Sequence, residues 1–287
     1  AGAISVSEGT VLAVPGEYAT IALALEAADP GDTILLAPGT YDATGCAAEG
    51  FMITLEEGVT LKGAGATPAD CVITGGGTRQ VLSITSAEAV VENLTLADGC
   101  GVGSTKGAGY TVQMTGGLVT NCVVSGGTPH TSATFETVVY ATGGRITDCE
   151  ITGLTGTKQR TSVYLKNATM DHCDICNNSA LHKYLGLVTV EGADGLVEFC
   201  KIHDNALQGF EYAYRDGALA AMNGAMVRDS EIYNNTMAHS ANSYYTSAAV
   251  STIGGYGITA SGSSYGGAVI ERCIIPNYVY KLATDGY

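Results

Sequence analysis

The sequence has no tryptophan and only 4 phenylalanines and 6 prolines among its 287 residues. It is also short of positive charge: Lys and Arg number 13 against 28 Asp and Glu, for a formal net charge of −15. Each shortage excludes something. So acidic a chain repels phosphate backbones and anionic headgroups, which argues against nucleic acid and anionic membrane as partners. No run of 18 or more apolar residues occurs, so no segment reads as a spanning helix and no membrane insertion is expected. Ala1 is preceded by no methionine and followed by no basic, apolar leader. That is expected of a processed N-terminus or of a cut within a longer chain. The charge balance suits an extracellular or cell-surface protein, or one that binds cations. The length suffices for one large domain, residues 1–287.

What is abundant is glycine, at 39 residues, with 16 tyrosines and 9 cysteines. The cysteines expose a repeat. Cys71-Val72-Ile73-Thr74-Gly75-Gly76 returns as Cys122-Val123-Val124-Ser125-Gly126-Gly127 and as Cys149-Glu150-Ile151-Thr152-Gly153. It returns again as Cys173-Asp174-Ile175-Cys176-Asn177-Asn178, Cys200-Lys201-Ile202-His203-Asp204-Asn205 and Ser230-Glu231-Ile232-Tyr233-Asn234-Asn235. The central column runs through positions 71, 94, 122, 149, 173, 200, 230 and 273. Each unit also carries an earlier alternating run, such as Thr111–Met114, Thr137–Tyr140, Ser162–Leu165 and Leu187–Val190. Apolar residues at every second position are the strand signature. Short strands, glycine turns and a spacing near 27 residues fit no helical repeat. They fit an all-β right-handed parallel β-helix, each rung stacking about 4.8 Å above the last. The wider step from 230 to 273 predicts a long loop over about 236–267. Residues 1–31 read as N-terminal strands and one Ala/Leu-rich helix, Thr20–Ala28, stopped by Asp29-Pro30-Gly31 and placed to cap the first rung; 32–287 read as stacked rungs.

The stretch Asp29-Pro30-Gly31-Asp32-Thr33-Ile34-Leu35-Leu36-Ala37-Pro38-Gly39-Thr40-Tyr41 resembles the opening of pectin-lyase-like β-helix proteins. Gly58-Val59-Thr60-Leu61-Lys62-Gly63-Ala64-Gly65 is similar to the rung that follows it there. The resemblance implies the same solenoid over nearly the whole chain. It leaves activity open, because that superfamily contains lyases, hydrolases, esterases, adhesins and tailspikes. The arginine-containing motifs of pectate lyases, the paired aspartates of pectin methylesterases and the aspartate cluster of polygalacturonases have no counterpart in this sequence.

Alternate strand residues face opposite ways. The Cys122 column and the column two residues later are apolar or small, so both should point inward. Cys71, Cys122, Cys149, Cys173, Cys200 and Cys273 then pack as small hydrophobes, with inter-rung disulfides as the alternative. Cys173 and Cys176 should face opposite sides of one strand, so their spacing is not read as a metal motif. Three outward columns are expected: Asp148, His172, Phe199, Asp229, Arg272; then Glu150, Asp174, Lys201, Glu231; then Thr152, Cys176, His203, Tyr233. They gather carboxylates, two histidines and one lysine. An enzyme on acidic polysaccharides would use Glu150, Asp174 and Asp148 to hold calcium, with Lys201, His172 or His203 as acid or base. The alternative is a solvated face with weak cross-rung ion pairs.

A second constellation falls in the loops: His130, Lys158, Arg160, Lys183, Tyr184, Tyr212, Tyr214, Arg215, Tyr244 and Tyr245. Aromatic and basic side chains along one edge suit sugar stacking or a contact with a partner subunit. Asn178, Asn205 and Asn235 recur at one turn position and predict an asparagine ladder. No amphipathic cap follows Cys273, which leaves three accounts open: a piece of a longer protein, a tail folded over the end, or copies of the chain stacked end to end. Three functions remain in view: a structural or adhesive surface solenoid, a polysaccharide lyase, and a non-catalytic carbohydrate-binding module.

Overall fold

The short alternating runs are realised as parallel strands wound into a solenoid. The computed structural model describes residues 9–46, 49–101, 109–127, 137–155, 162–179, 181–182, 187–209, 218–238, 250–252 and 268–275. Three sheets are visited in turn on each circuit. The first face has ten strands, from Val11–Val14 to Val269–Glu271. The second has eight, from Gly39–Tyr41 to Glu231–Tyr233, and the third eight, from Phe51–Leu55 to Val250–Thr252. A small fourth sheet joins Leu181–His182, Ala206–Gly209 and Thr236–Ala238. Thr236–Ala238 and Val250–Thr252 fall inside the stretch expected to be one long loop, and each pairs parallel with the rung before it.

The core follows from the pairing. On the second face Val124, Ile151, Ile175, Ile202 and Ile232 stack in register, and none is more than 2% exposed. On the first face Val119, Ile146, Met170, Val197 and Val227 do the same. Burying side chains of this size stabilises by roughly 1.5–3 kcal/mol each. The expected helix is Ile21–Ala27, whose N-cap Thr20 hydroxyl accepts the Leu23 N–H at 3.3 Å. Ile21 and Ala24 are buried, and the helix lies beside Val11–Val14 and Thr33–Leu36.

Between the first and second faces the chain turns a sharp corner. Asn93, Asn121, Asp148, His172, Phe199, Asp229 and Arg272 all adopt the left-handed conformation there, with φ between 47° and 56°. The first outward column expected of a strand is therefore a column of corner residues. Asn, Asp and His tolerate this region because their short polar side chains bond locally, whereas Phe199 and Arg272 are there at a cost. The next residue in each rung points inward, and its side chain closes the corner. The thiols of Cys122, Cys149, Cys173, Cys200 and Cys273 each donate to the carbonyl two residues back, at 3.1–3.4 Å. Where serine replaces cysteine, Ser230 Oγ donates to Arg228 O at 2.8 Å. The inward stack is thus more than apolar filler.

All nine cysteines are free thiols. Hydrogen bonding with Cys149, joined at Cys173 by Cys200, and then burial, pushes the Cys122 and Cys173 thiols well above the ordinary value. Thiols so held are poor nucleophiles. In native protein, the buried Cys71, Cys122, Cys149, Cys173, Cys176 and Cys200 should resist a thiol-specific reagent that labels the partly exposed Cys46, Cys100 and Cys273. All nine should react in denaturant, and peptide mapping by mass spectrometry distinguishes the two sets.

The asparagine ladder is present. Asn178 Nδ2 donates to Ile151 O at 3.0 Å and Asn205 Oδ1 at 2.9 Å. Asn205 Nδ2 donates to Ile175 O at 2.9 Å and Asn235 Oδ1 at 2.8 Å. The residues that take the left-handed bend are their predecessors, Asn177, Asp204 and Asn234. Asn205 is 1% exposed, so its removal orphans buried partners on both sides. Asn205→Ala should cost roughly 2–4 kcal/mol, readable as a lowered urea midpoint with an unchanged slope.

Candidate functional site

The outer surface of the second face carries the chemistry. Glu150, Asp174, Lys201 and Glu231 are consecutive register partners. Beside them run Thr152, Cys176, His203 and Tyr233, also in register. These two columns stand where alternation places them. His172 and Asp148 do not join them, because both sit on the left-handed corner. Glu150 and Lys201 are exposed.

His203 is the most constrained of these residues. Its Nδ1 lies 2.7 Å from Asp204 Oδ2, and its Nε2 lies 2.8 Å from Asp174 Oδ1. The second contact is short without being a well-aligned hydrogen bond: Asp174 Oδ1 is buried and has no hydrogen-bond partner of acceptable geometry. The ring stacks on Tyr233 with centroids 4.7 Å apart and planes within 1°. Cys176, next to His203 in register, is 6% exposed. Its Sγ accepts from Asn177 Nδ2 at 3.4 Å and lies 3.9 Å from Glu150 Oε1. Burial, and then the charge of Asp174, pushes this thiol up. One donor atom each from Asp174, Cys176 and His203 falls within 4.8 Å of the others. Strand alternation does not predict Asp204 as a partner of His203; it occupies the left-handed position after the second face, where Asn177 and Asn234 also sit.

A second polar knot braces the corner beside this face. Asp171, 1% exposed, accepts from Arg145 Nε at 2.7 Å, Arg145 Nη2 at 2.8 Å and Thr147 Oγ1 at 2.7 Å. His172 Nδ1 lies 2.8 Å from the same carboxylate. The His172 ring stacks on Phe199, with centroids 5.1 Å apart. Burial alone would raise the Asp171 pKa, but the bonds from Arg145, His172 and Thr147 outweigh it and hold the carboxyl far below the usual range. The sequence offers no motif for this pair, since Arg145 and Asp171 meet only through the register of neighbouring rungs. The loop constellation of Lys183, Tyr184, Tyr212, Tyr214, Arg215, Tyr244 and Tyr245 lies outside the described residues, as do His130, Lys158 and Arg160.

A family profile described as "Protein of unknown function (DUF1565)" matches residues 9–271. The chain belongs to the DUF1565 family. None of the curated proteins compared with it matches. Among solved structures, that of Escherichia coli ybhc is similar, with a TM-score of 0.50 and 13% identity over 96% of this chain and 87% of that one. The rice weevil pectin methyl esterase has a TM-score of 0.42 and 13% identity over 96% of this chain and 91% of its own. The A-module of Azotobacter vinelandii mannuronan C-5 epimerase AlgE6 has a TM-score of 0.29 and 15% identity over 89% of each. At such identities the likeness concerns the fold. This DUF1565 chain is a parallel β-helix.

The knot at Asp171 gives the DUF1565 solenoid a defined response to acid. A carboxyl depressed in the folded state stabilises it above the unfolded pKa of about 4, and that stability is lost as pH falls toward the folded value. Wild type should therefore lose stability steadily below pH 4. Asp171→Asn should be weaker by about 1–3 kcal/mol at pH 7, a partly exposed Arg145 limiting the loss. It should also show a flatter dependence below pH 4, measured by denaturant midpoints across pH.

Proposed function

We propose that this DUF1565 chain is a structural or adhesive β-solenoid of the cell exterior, a rigid rod that stacks end to end. The observation behind the proposal is the outermost described rung. Val227, Ser230 and Ile232 are no more than 1% exposed, whereas Ile270, Cys273 and Ile275, their counterparts one rung on, are only partly buried. Val269 and Ile274 are 41% and 59% exposed. Among the described residues, Val269–Glu271 is an edge strand of the first face, and Val11–Val14, with Val11 53% exposed, is the other edge. Apolar edges with unpaired backbone are templates for further strands, and a head-to-tail contact that does not close propagates into a filament. No helix among the described residues is long and apolar enough to cross a membrane.

A second reading, contact with polysaccharide, has its own support. Phe199 is 49% exposed and is held at a φ of 53° while stacked on His172. Strained, exposed aromatics persist where the surroundings or a function require them, and an aromatic face suits a sugar ring. Phe199→Asn, which keeps the left-handed backbone, should abolish glycan binding without altering filaments if this reading holds. Cleavage of uronate polymers that depends on Lys201 would instead establish a lyase.

Electron microscopy of the purified protein over a concentration series tests the stacking. Fibres should form at high concentration and disappear in Ile274→Lys with little change in melting temperature. Dispersed monomers at every concentration would remove the stacking proposal.

A further inference from the structure

We propose that Asp174, Cys176 and His203 form a binding site for a first-row transition-metal ion of tetrahedral preference, zinc(II) in the first instance. The site arises from strand register. Asp174 and Cys176 are two residues apart on Asp174–Cys176 and so share its outer surface, and His203 is the register partner of Cys176 one rung on. A carboxylate oxygen, a sulfur and an imidazole nitrogen thereby converge, all within 4.8 Å of one another. The ligands of tetrahedral zinc stand roughly 3.3–3.7 Å apart, given bonds of about 2.0–2.3 Å. Small rotations of these side chains bridge the difference.

Three further observations favour a ligand at this point. The first is the approach of Asp174 Oδ1 to His203 Nε2, at 2.8 Å without hydrogen-bond alignment, which leaves a buried oxygen unsatisfied. Two donor atoms crowded together but not bonded to each other lack a shared electrophile. The second is Asp204, whose Oδ2 lies 2.7 Å from His203 Nδ1. A carboxylate there holds the proton on Nδ1 and turns the Nε2 lone pair outward, the arrangement that orients histidine ligands in metal sites. The third is Tyr233, which stacks on the imidazole and fixes the ring plane. Glu150 Oε1 lies 3.9 Å from the sulfur but outside the converging trio, so the fourth position falls to water, as in zinc sites with three protein ligands.

The donor set decides the metal class. Calcium takes six to eight oxygens, so a thiol and an imidazole do not suit it, and the calcium expected from the acidic columns is replaced here by a softer ion. Thiolate with imidazole selects zinc and its neighbours. Binding releases the Cys176 proton, so affinity should fall as pH drops. The site stands independently of filament formation, since it lies on the long face of the solenoid rather than on its outermost rung.

Cobalt(II) is the probe, because a thiolate–cobalt bond produces a near-ultraviolet charge-transfer absorption and tetrahedral coordination gives intense visible bands. Titration of the whole chain should saturate these bands at one equivalent, and zinc(II) should displace them. Cys176→Ser should abolish the charge-transfer band, whereas Cys173→Ser, in the inward stack, should leave it intact. Far-ultraviolet circular dichroism monitors folding. Asp204→Asn, which keeps all three ligands, should weaken zinc binding about 10–100-fold and so provides a second arm should Cys176→Ser fail to fold. Absence of the bands in wild type, their survival in Cys176→Ser, an affinity unmoved by Asp204→Asn, or displacement of cobalt by equimolar calcium would each overturn the proposal.

Discussion

The backbone hydrogen bond from one rung to the next is the interaction on which everything else depends, because it is not interrupted at the corners. The left-handed residue of each rung donates to a carbonyl of the following rung at 3.2–3.3 Å: Asn121 to Thr147, Asp148 to Asp171, His172 to Glu198, Phe199 to Arg228. Two residues later the strand resumes, with Glu150 N–H on Cys122 O, Asp174 on Cys149 and Lys201 on Cys173, each at 2.9 Å. The carbonyl before the bend also receives the thiol or hydroxyl of its own rung. A corner of this kind leaves no slack. Every residue is held opposite its counterpart, and columns of side chains follow without further instruction.

That constraint explains why chemically dissimilar groups meet on this protein. Asp171 and Arg145 are 26 positions apart, and Asp174 and His203 are further still, yet each pair stands on adjacent rungs. A helix would need such groups three or four residues apart. The solenoid converts a spacing of one circuit into a contact, so a functional constellation can be composed from one residue per rung. The same logic holds Tyr140 against Tyr164, their rings 5.4 Å apart and within 5° of parallel.

Much of this was legible in the residues. Alternation exposed Ile151, Ile175 and Ile202 as core and Glu150, Asp174 and Lys201 as surface, and the recurring Asn178, Asn205 and Asn235 announced their ladder. The helix was legible because an Ala/Leu run ends at Asp29-Pro30-Gly31. The corner was not: Asp148, His172 and Phe199 look like one more alternating position, since period two does not reveal where a chain bends. Phe199 and Arg272 give no hint of a left-handed backbone, which is rare for such side chains. The pairing of His203 with Asp204 was hidden for a related reason. Neighbours in a strand point apart, and only the bend at Asp204 turns its carboxylate back toward the imidazole.

The asparagine ladder has a direction. Asn178 donates to Asn205 and Asn205 to Asn235, while Leu154 N–H closes the near end on Asn178 Oδ1 at 3.0 Å. The amide dipoles therefore add along the axis instead of cancelling, and each polarises the next. Such a row is cooperative: the bond between two members strengthens when a third joins. Lengthening the solenoid by a rung that carries asparagine at this turn would stiffen the rungs already there, which makes length itself a source of rigidity.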